Sequence, residues 1–277
     1  MLPKDNPASD PTQKTGRLIP AEIGSRVDAW WGLFIVVVVI ILALVIFKPD
    51  PYRDILVFVW DGVLVTLWVT VASFFLTLIA GLIGGLGRLS KNPLIFGISS
   101  LYVELVRGIP LLVQLIWWYF AFPVVLQGLG ESLGLQALEN YKANPIAMSI
   151  LGLTFCYGAY MSEIYRAGIQ SIPKGQMEAA KSLGMNYYQS MRYVILPQAI
   201  RVILPPVGNE FIALLKDSSL VSAVAVADLT RRGREYMSSS FIPIETWTMV
   251  ALLYLVLTLF SARVASYIEK RVKVAER

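Results

Sequence analysis

The chain has 277 residues, 56% hydrophobic and 16% charged, with a mean hydropathy of +0.62 and a formal net charge of +5. That balance describes an all-α polytopic membrane protein rather than a soluble core, and makes the positive charge a matter of topology, not of nucleic-acid binding. With no histidine and Cys156 as the lone cysteine, the inventory excludes His-based acid–base catalysis, a disulfide framework and Cys- or His-based metal sites.

Residues 1–28 are polar and Pro-rich, which predicts a disordered tail. The first span runs from Ala29 to Phe47 around FIVVVVIILALVIF, continuous and free of polar groups, as suits a lipid-facing helix that carries no chemistry. Lys48-Pro49-Asp50-Pro51 is expected to close it with a turn. The second span, Ile55 to Leu86, places Thr66, Thr70, Ser73 and Thr77 on one face, extended by Ala80, Gly81 and Gly84. Small residues and hydroxyls suit close helix packing in lipid, and Thr66 and Thr70 are also candidates for lining a polar path.

Arg88 and Lys91 mark a short loop, after which LYVELVRGIPLLVQLIWWYF (101–120) reads as a third span. Gly108 and Pro110 allow it to kink, Glu104 and Arg107 are spaced to pair, and Trp117, Trp118 and Tyr119 suit the far interface. Residues 127–144 form a polar connector. A fourth span, Pro145 to Gln170, ends with Glu163 and Arg166 three residues apart, close enough to pair near the surface.

Between the fourth and fifth spans lies GQMEAAKSLGMNYYQSMRYVILP, 175–197. Ser171 is a candidate helix cap ahead of Pro173, Gly184 is placed to end the helix, and Asn186 with Gln189 forms a capping-box pattern opening the next one. Ala179 and Ala180 keep one face small, while Met177, Leu183 and Met185 offer apolar contact. This reads as a docking elbow. The fifth span, Tyr193 to Leu215, is interrupted by Pro197, Pro205, Pro206 and Gly208 and holds Arg201, Asn209 and Glu210, so it is the best candidate for lining a route. A polar loop reaches Arg234, the sixth span covers Ile242 to Tyr267, and 269–277 form a basic tail.

The spacing Glu178-Ala179-Ala180, Gly184, then Val194-Ile195-Leu196-Pro197 resembles the EAA loop of ABC-importer membrane subunits, usually EAA-x3-G-x9-I-x-LP, with Val194 where Ile is commoner. YVELVRGIPLLVQ, YMSEIYRAGIQSIPKGQ and LPPVGNEFIALLKDSSL are similar to runs in the polar amino-acid branch of that family. The resemblance implies the type I importer fold: a five-helix core over 55–268 with a coupling loop at 171–197, preceded here by one extra helix, 29–47. It also implies two ATPase subunits, a second permease subunit (the same chain or a homologue), an extracytoplasmic substrate-binding protein and a bacterial inner-membrane location. Glu178, Ala179, Ala180, Leu183, Gly184, Met185, Leu196 and Pro197 would carry ATPase coupling. Glu210, Asn209, Arg201, Thr66, Thr70 and Glu163 are the candidates for the substrate pathway.

Six spans with both termini in the cytoplasm put most Lys and Arg inside, together with the elbow; Arg231, Arg232 and Arg234 are the exception, which an extracellular docking role would explain. The pattern G-x-x-x-x-G-K-S/T is absent from the sequence, so ATP and Mg are expected on a partner, with no cofactor and no enzymatic activity in this chain. The rival reading is a secondary transporter that uses Glu163 or Glu210 as a proton or ion site.

Overall fold

The computed structural model describes residues 29–274, and every regular element among them is helical. The expected tail over 1–28 and the final residues of the basic tail lie outside the described residues. Among the described residues, five helices are long and apolar enough to cross a membrane: Trp30–Phe47, Pro49–Arg88, Leu111–Leu133, Pro145–Gln170 and Pro243–Val272. They belong respectively to α1 (Ala29–Phe47), α2 (Pro49–Arg88), the rod made of α4 (Leu111–Ile116) and α5 (Phe122–Leu133), α7 (Pro145–Gln170), and α12 (Pro243–Val274). The expected fifth span forms α10 (Leu196–Asp217), whose 22 residues give about 33 Å of helix. It is long enough to cross but is too polar to join the five apolar spans, because Arg201, Asn209, Glu210, Pro205 and Pro206 interrupt it.

The run 101–120 is not one span. Ile109 is extended (φ −106°, ψ 131°), as the residue before a proline prefers, so α3 (Pro93–Gly108) stops and a new rod starts at Leu111. The buried Gln114 side chain spans the break, donating to the carbonyls of Val106 (2.8 Å) and Ile109 (2.9 Å). The rod runs on to Leu133, so Trp117, Trp118 and Tyr119 sit in its first half rather than at a far end, and the polar connector, with the short α6 (Gln136–Glu139) in it, begins only after Gly134, in the left-handed region at φ 65°.

Among the described residues two π turns occur, Trp117–Ala121 and Met191–Ile195, and both have the same cause. Each leads into a proline, Pro123 or Pro197, which lacks the N–H for an i−4 bond and whose ring crowds the i−4 carbonyl. Widening the helix lets Phe122 bond back to Trp117 and Leu196 to Met191, so the helix continues through the proline instead of breaking.

The seam between α2 and α7 forms the centre of the molecule. A Cβ at Gly84 would lie 2.2 Å from Ser162 Oγ, and one at Gly81 would lie 2.5 Å from Met161 Cβ. Thr66, Thr70, Ser73 and Thr77 are fully buried along the same stripe. With no hydrophobic drive between helices in lipid, such close backbone approach supplies the dispersion contact that holds the pair. α1 leans on α12 and α2 and leaves most of its surface exposed.

Candidate coupling elbow and translocation path

The elbow consists of α8 (Lys174–Ser182) and α9 (Tyr187–Ser190), which passes through the second π turn into α10 without a break. Ser171 does not cap α8. It finishes α7, its hydroxyl bonding back to Gly168 O at 2.8 Å, and Pro173 occupies the N-cap position of α8 because the Ser171–Pro173 segment is spent on the turn. Gly184 ends the helix in the left-handed region at φ 81°, where its missing Cβ avoids strain. The capping box forms as the sequence predicts: Gln189 N–H donates to Asn186 Oδ1 and Asn186 N–H to Gln189 Oε1, both at 2.9 Å.

Ala180 is buried and Met185 is half-buried, while Glu178, Ala179, Gly184 and Pro197 are exposed and Leu196 is half-buried. Leu183 is 79% exposed and Tyr188 is 73% exposed. Two turns of helix thus hold fixed apolar side chains outward, at a corner whose backbone groups are satisfied internally.

A second group of residues lies along α7, which packs against both α3 and α10. Glu163 takes Arg88 from α2 and Arg166 from its own helix as ion-pair partners, Arg166 Nε lying 3.0 Å from Oε2. Arg107 does not pair with Glu104 as its spacing suggests; its guanidinium lies over the Tyr160 ring, 5.2 Å from the centroid. These residues border an open cavity of about 540 Å3 with Arg88, Glu104, Arg107, Tyr160 and Glu163 on its walls. Tyr157 donates to Asp217 at the end of α10 (2.7 Å), and the charges of Arg107 and Asp217 both reach the half-buried Glu210. The arrangement offers carboxylates, guanidinium groups and phenol rings together, which can receive a ligand with both an ammonium and a carboxylate.

Of the pathway candidates, Glu163 and Glu210 lie in this region. Asn209 is exposed and Arg201 half-buried further back along α10. Thr66 and Thr70 lie outside this group: Thr66 Oγ1 accepts from Leu229 N (3.1 Å) and Thr70 Oγ1 donates to Thr66 O (2.7 Å), both within packed structure. Sequence reasoning missed Arg107, Tyr157, Tyr160 and Asp217 as members of the group. The signal was available in part, since 157, 160 and 163 form a helical stripe and 210 and 217 lie two turns apart on one face. Their convergence across three helices was not.

A protein-family model described as "Binding-protein-dependent transport system inner membrane component" matches residues 77–274. The chain is 34% identical over 214 residues to the glutamine transport system permease protein GlnP of Escherichia coli (strain K12), covering 77% of this chain and 92% of that protein. It is 36% identical over 267 residues to the arginine transport system permease protein ArgU of Corynebacterium glutamicum, covering 94% of this chain and 81% of that one, so similarity to that protein is not confined to the residues from 77 onward. Among solved structures, the crystal structure of an amino acid ABC transporter with histidines superposes with a TM-score of 0.68 at 35% identity, covering 83% of this chain and 97% of that one. The inward-facing MetNI methionine ABC transporter, at 23% identity and a TM-score of 0.63, shares the fold. The spaced elbow, the helical architecture and these matches agree, and the chain belongs to the family of binding-protein-dependent transport system inner membrane components.

Proposed function

We propose that this chain is the permease subunit of an ATP-binding-cassette importer of polar amino acids. The observation that carries the reading is the elbow: a rigid, internally capped corner with exposed Leu183 and Tyr188, continuous through a π turn with the helix that bears Glu210 and Asp217. A push on that corner is delivered to the path-lining helix rather than absorbed in a loop. In this reading the core covers 55–268, the elbow is cytoplasmic at 171–197, α10 is the fifth of six crossings, and both termini are cytoplasmic. Two ATPase subunits hold ATP and Mg, a second permease subunit closes the path, and an extracytoplasmic protein delivers the substrate.

Glu178 to Met185, with Leu196 and Pro197, receive the ATPase. Glu210 and Glu163 face the path, with Arg107 supplying the opposite charge. The substrate class rests on relatives named for glutamine, arginine and cystine transport and on the two-sign polar group. The elbow can change the gate only through contact energies that differ between its two states, which is what ATP-driven closure of the partner supplies. The carboxylates alone would also suit an ion-coupled carrier, but such a carrier has no use for an outward apolar corner.

Reconstitution tests this reading. The permease, co-expressed with its ATPase and supplied with the binding protein in liposomes, should take up labelled glutamine or arginine only with ATP inside the ATPase compartment, and uptake should survive a protonophore. Glu210→Gln should lower uptake while the subunits still assemble and hydrolyse ATP. Uptake driven by a proton or sodium gradient without ATP would overturn the proposal.

A further inference from the structure

The C-terminal part of α12 and the start of α1 enclose a pocket of about 370 Å3 that takes no part in the coupling or path described above. Trp31 forms its wall from α1. Phe260, Arg263, Tyr267 and Lys270 form a stripe at helical spacing along α12, and Ser266 adds a hydroxyl. Arg263 lies 5.3 Å from the Trp31 ring centroid, so the guanidinium and indole are stacked across the two helices. The next residue after Lys270, Arg271, bonds Tyr267 Oη at 2.9 Å and adds a further cation at the same level. Glu269, the acid on this turn, is turned the other way, its Oε1 lying against the Gly208 position of α10.

The pocket therefore carries cations and aromatic rings at one end of a membrane-crossing helix. Immediately along α12 towards the membrane interior, Phe260 is 57% exposed and Val264 is also exposed, as lipid-facing residues would be. A free anion has no use for that apolar floor. An amphiphile with a phosphate head and acyl tails uses both parts, and basic pockets between helices on the cytoplasmic side suit anionic headgroups.

We propose that this pocket binds the phosphate headgroup of an anionic phospholipid, with α1 supplying the wall that completes it. The proposal rests on the reading of α1 and α12 as membrane-crossing helices with these ends cytoplasmic but not on ATP coupling or substrate class, so its test needs no transport. The helix that reads as a lipid-facing addition thereby gains a role, which is to build a lipid site on the rim of the permease.

The test uses the full chain purified in a neutral detergent, titrated with phosphatidylglycerol, with phosphatidylcholine and with glycerol phosphate, and read by melting temperature and native mass spectrometry. Phosphatidylglycerol should raise the melting temperature and appear as a retained adduct, while the other two should do neither. Lys270→Gln should raise the phosphatidylglycerol concentration for half the shift about fivefold, the effect of one cation near an anionic surface. Trp31→Leu should weaken binding as well, and Lys142→Gln, an exposed lysine on the connector, should not. Equal shifts with phosphatidylcholine, a shift from glycerol phosphate as large as from the lipid, or unchanged titrations for both Lys270→Gln and Trp31→Leu would each overturn the proposal.

Discussion

Tyr157 donates its hydroxyl to Asp217 Oδ2 across 2.7 Å, tying the middle of α7 to the last residue of α10. The elbow is the connection between those two helices, so the bond closes the α7–elbow–α10 hairpin at a point away from the elbow. A hydrogen bond to a charged acceptor in a packed site contributes about 1.5–3 kcal/mol. Tyr157→Phe should therefore lower stability by about 2 kcal/mol, and Asp217→Asn, which keeps an acceptor, should cost less than Asp217→Leu. Thermal unfolding of the purified protein measures both; identical melting of wild type and Tyr157→Phe would contradict the tie.

Glu163 separates the ATP-driven reading from its ion-coupled rival. Its carboxylate is paired with Arg88 and Arg166, with side-chain exposures of 15% for Arg88 and 26% for Arg166. Glu163→Gln leaves two neighbouring cations without their counter-charge, which should cost about 2 kcal/mol, the partial exposure reducing the penalty of a fully buried pair. Reduced melting temperature and reduced assembly are expected, with the ATP dependence of the remaining uptake intact. A stable, fully assembled variant that has lost a proton-gradient dependence present in the wild type would make Glu163 a proton site.

The α2–α7 seam is tested by paired glycine substitutions. A Cβ at Gly84 meets Ser162 Oγ at 2.2 Å, whereas Gly97 on α3 has nothing within 4 Å. Gly84→Ala should destabilise by about 1–3 kcal/mol through overpacking, and Gly97→Ala should be neutral or slightly stabilising because helix propensity improves. Melting temperatures of the two variants, measured side by side, should fall on opposite sides of the wild type or nearly so.

The α11 helix (Leu229–Ser240) gives a pH signature outside the crossing helices. Glu235 accepts from Arg231 Nε (3.0 Å) and Arg232 Nη1 (2.9 Å), and these bonds, Arg231's foremost, hold its carboxyl below the ordinary range. Its stabilising effect is thus present above the ordinary glutamate value and is lost as pH falls through the lowered one. Asp228, fully buried as the N-cap of α11, is pushed upward by burial against the bonds it accepts from the Arg231 and Thr230 N–H groups. Its contribution has the opposite sign, present below the ordinary aspartate value and lost as pH rises through the raised one. Glu235→Gln should melt below wild type at neutral pH, and the difference should disappear at acid pH; a difference that grows on acidification would refute the assignment.

Much of the elbow was legible in the sequence because its determinants are local. Gly184 at a left-handed position and the Asn186/Gln189 box each depend on a few neighbouring residues, and both form. The Thr66–Thr77 stripe was equally readable, since a helical face needs only periodicity. Local signals misled where two rules competed for one residue: Ser171 could begin α8 or finish α7, and Pro110 could kink a helix or end it. The π turns before Pro123 and Pro197 follow from proline chemistry but needed the surrounding helix to be known as continuous. The polar group of Arg107, Tyr157, Glu210 and Asp217 depends on how three helices cross, and no spacing within one helix records that.

The most direct measurement compares Gly184→Asp with Gly134→Asp in the reconstituted importer, following amino-acid uptake and ATP hydrolysis together. Both glycines have positive φ and nothing within 4 Å, so the two variants carry similar strain and neither clashes within the chain. Aspartate tolerates that backbone region better than most residues, so both proteins should fold and insert. Gly184→Asp should lose uptake and bind its ATPase subunits poorly, while Gly134→Asp should transport like the wild type. Normal uptake and ATPase association in Gly184→Asp would contradict the claim that this elbow couples ATP to transport.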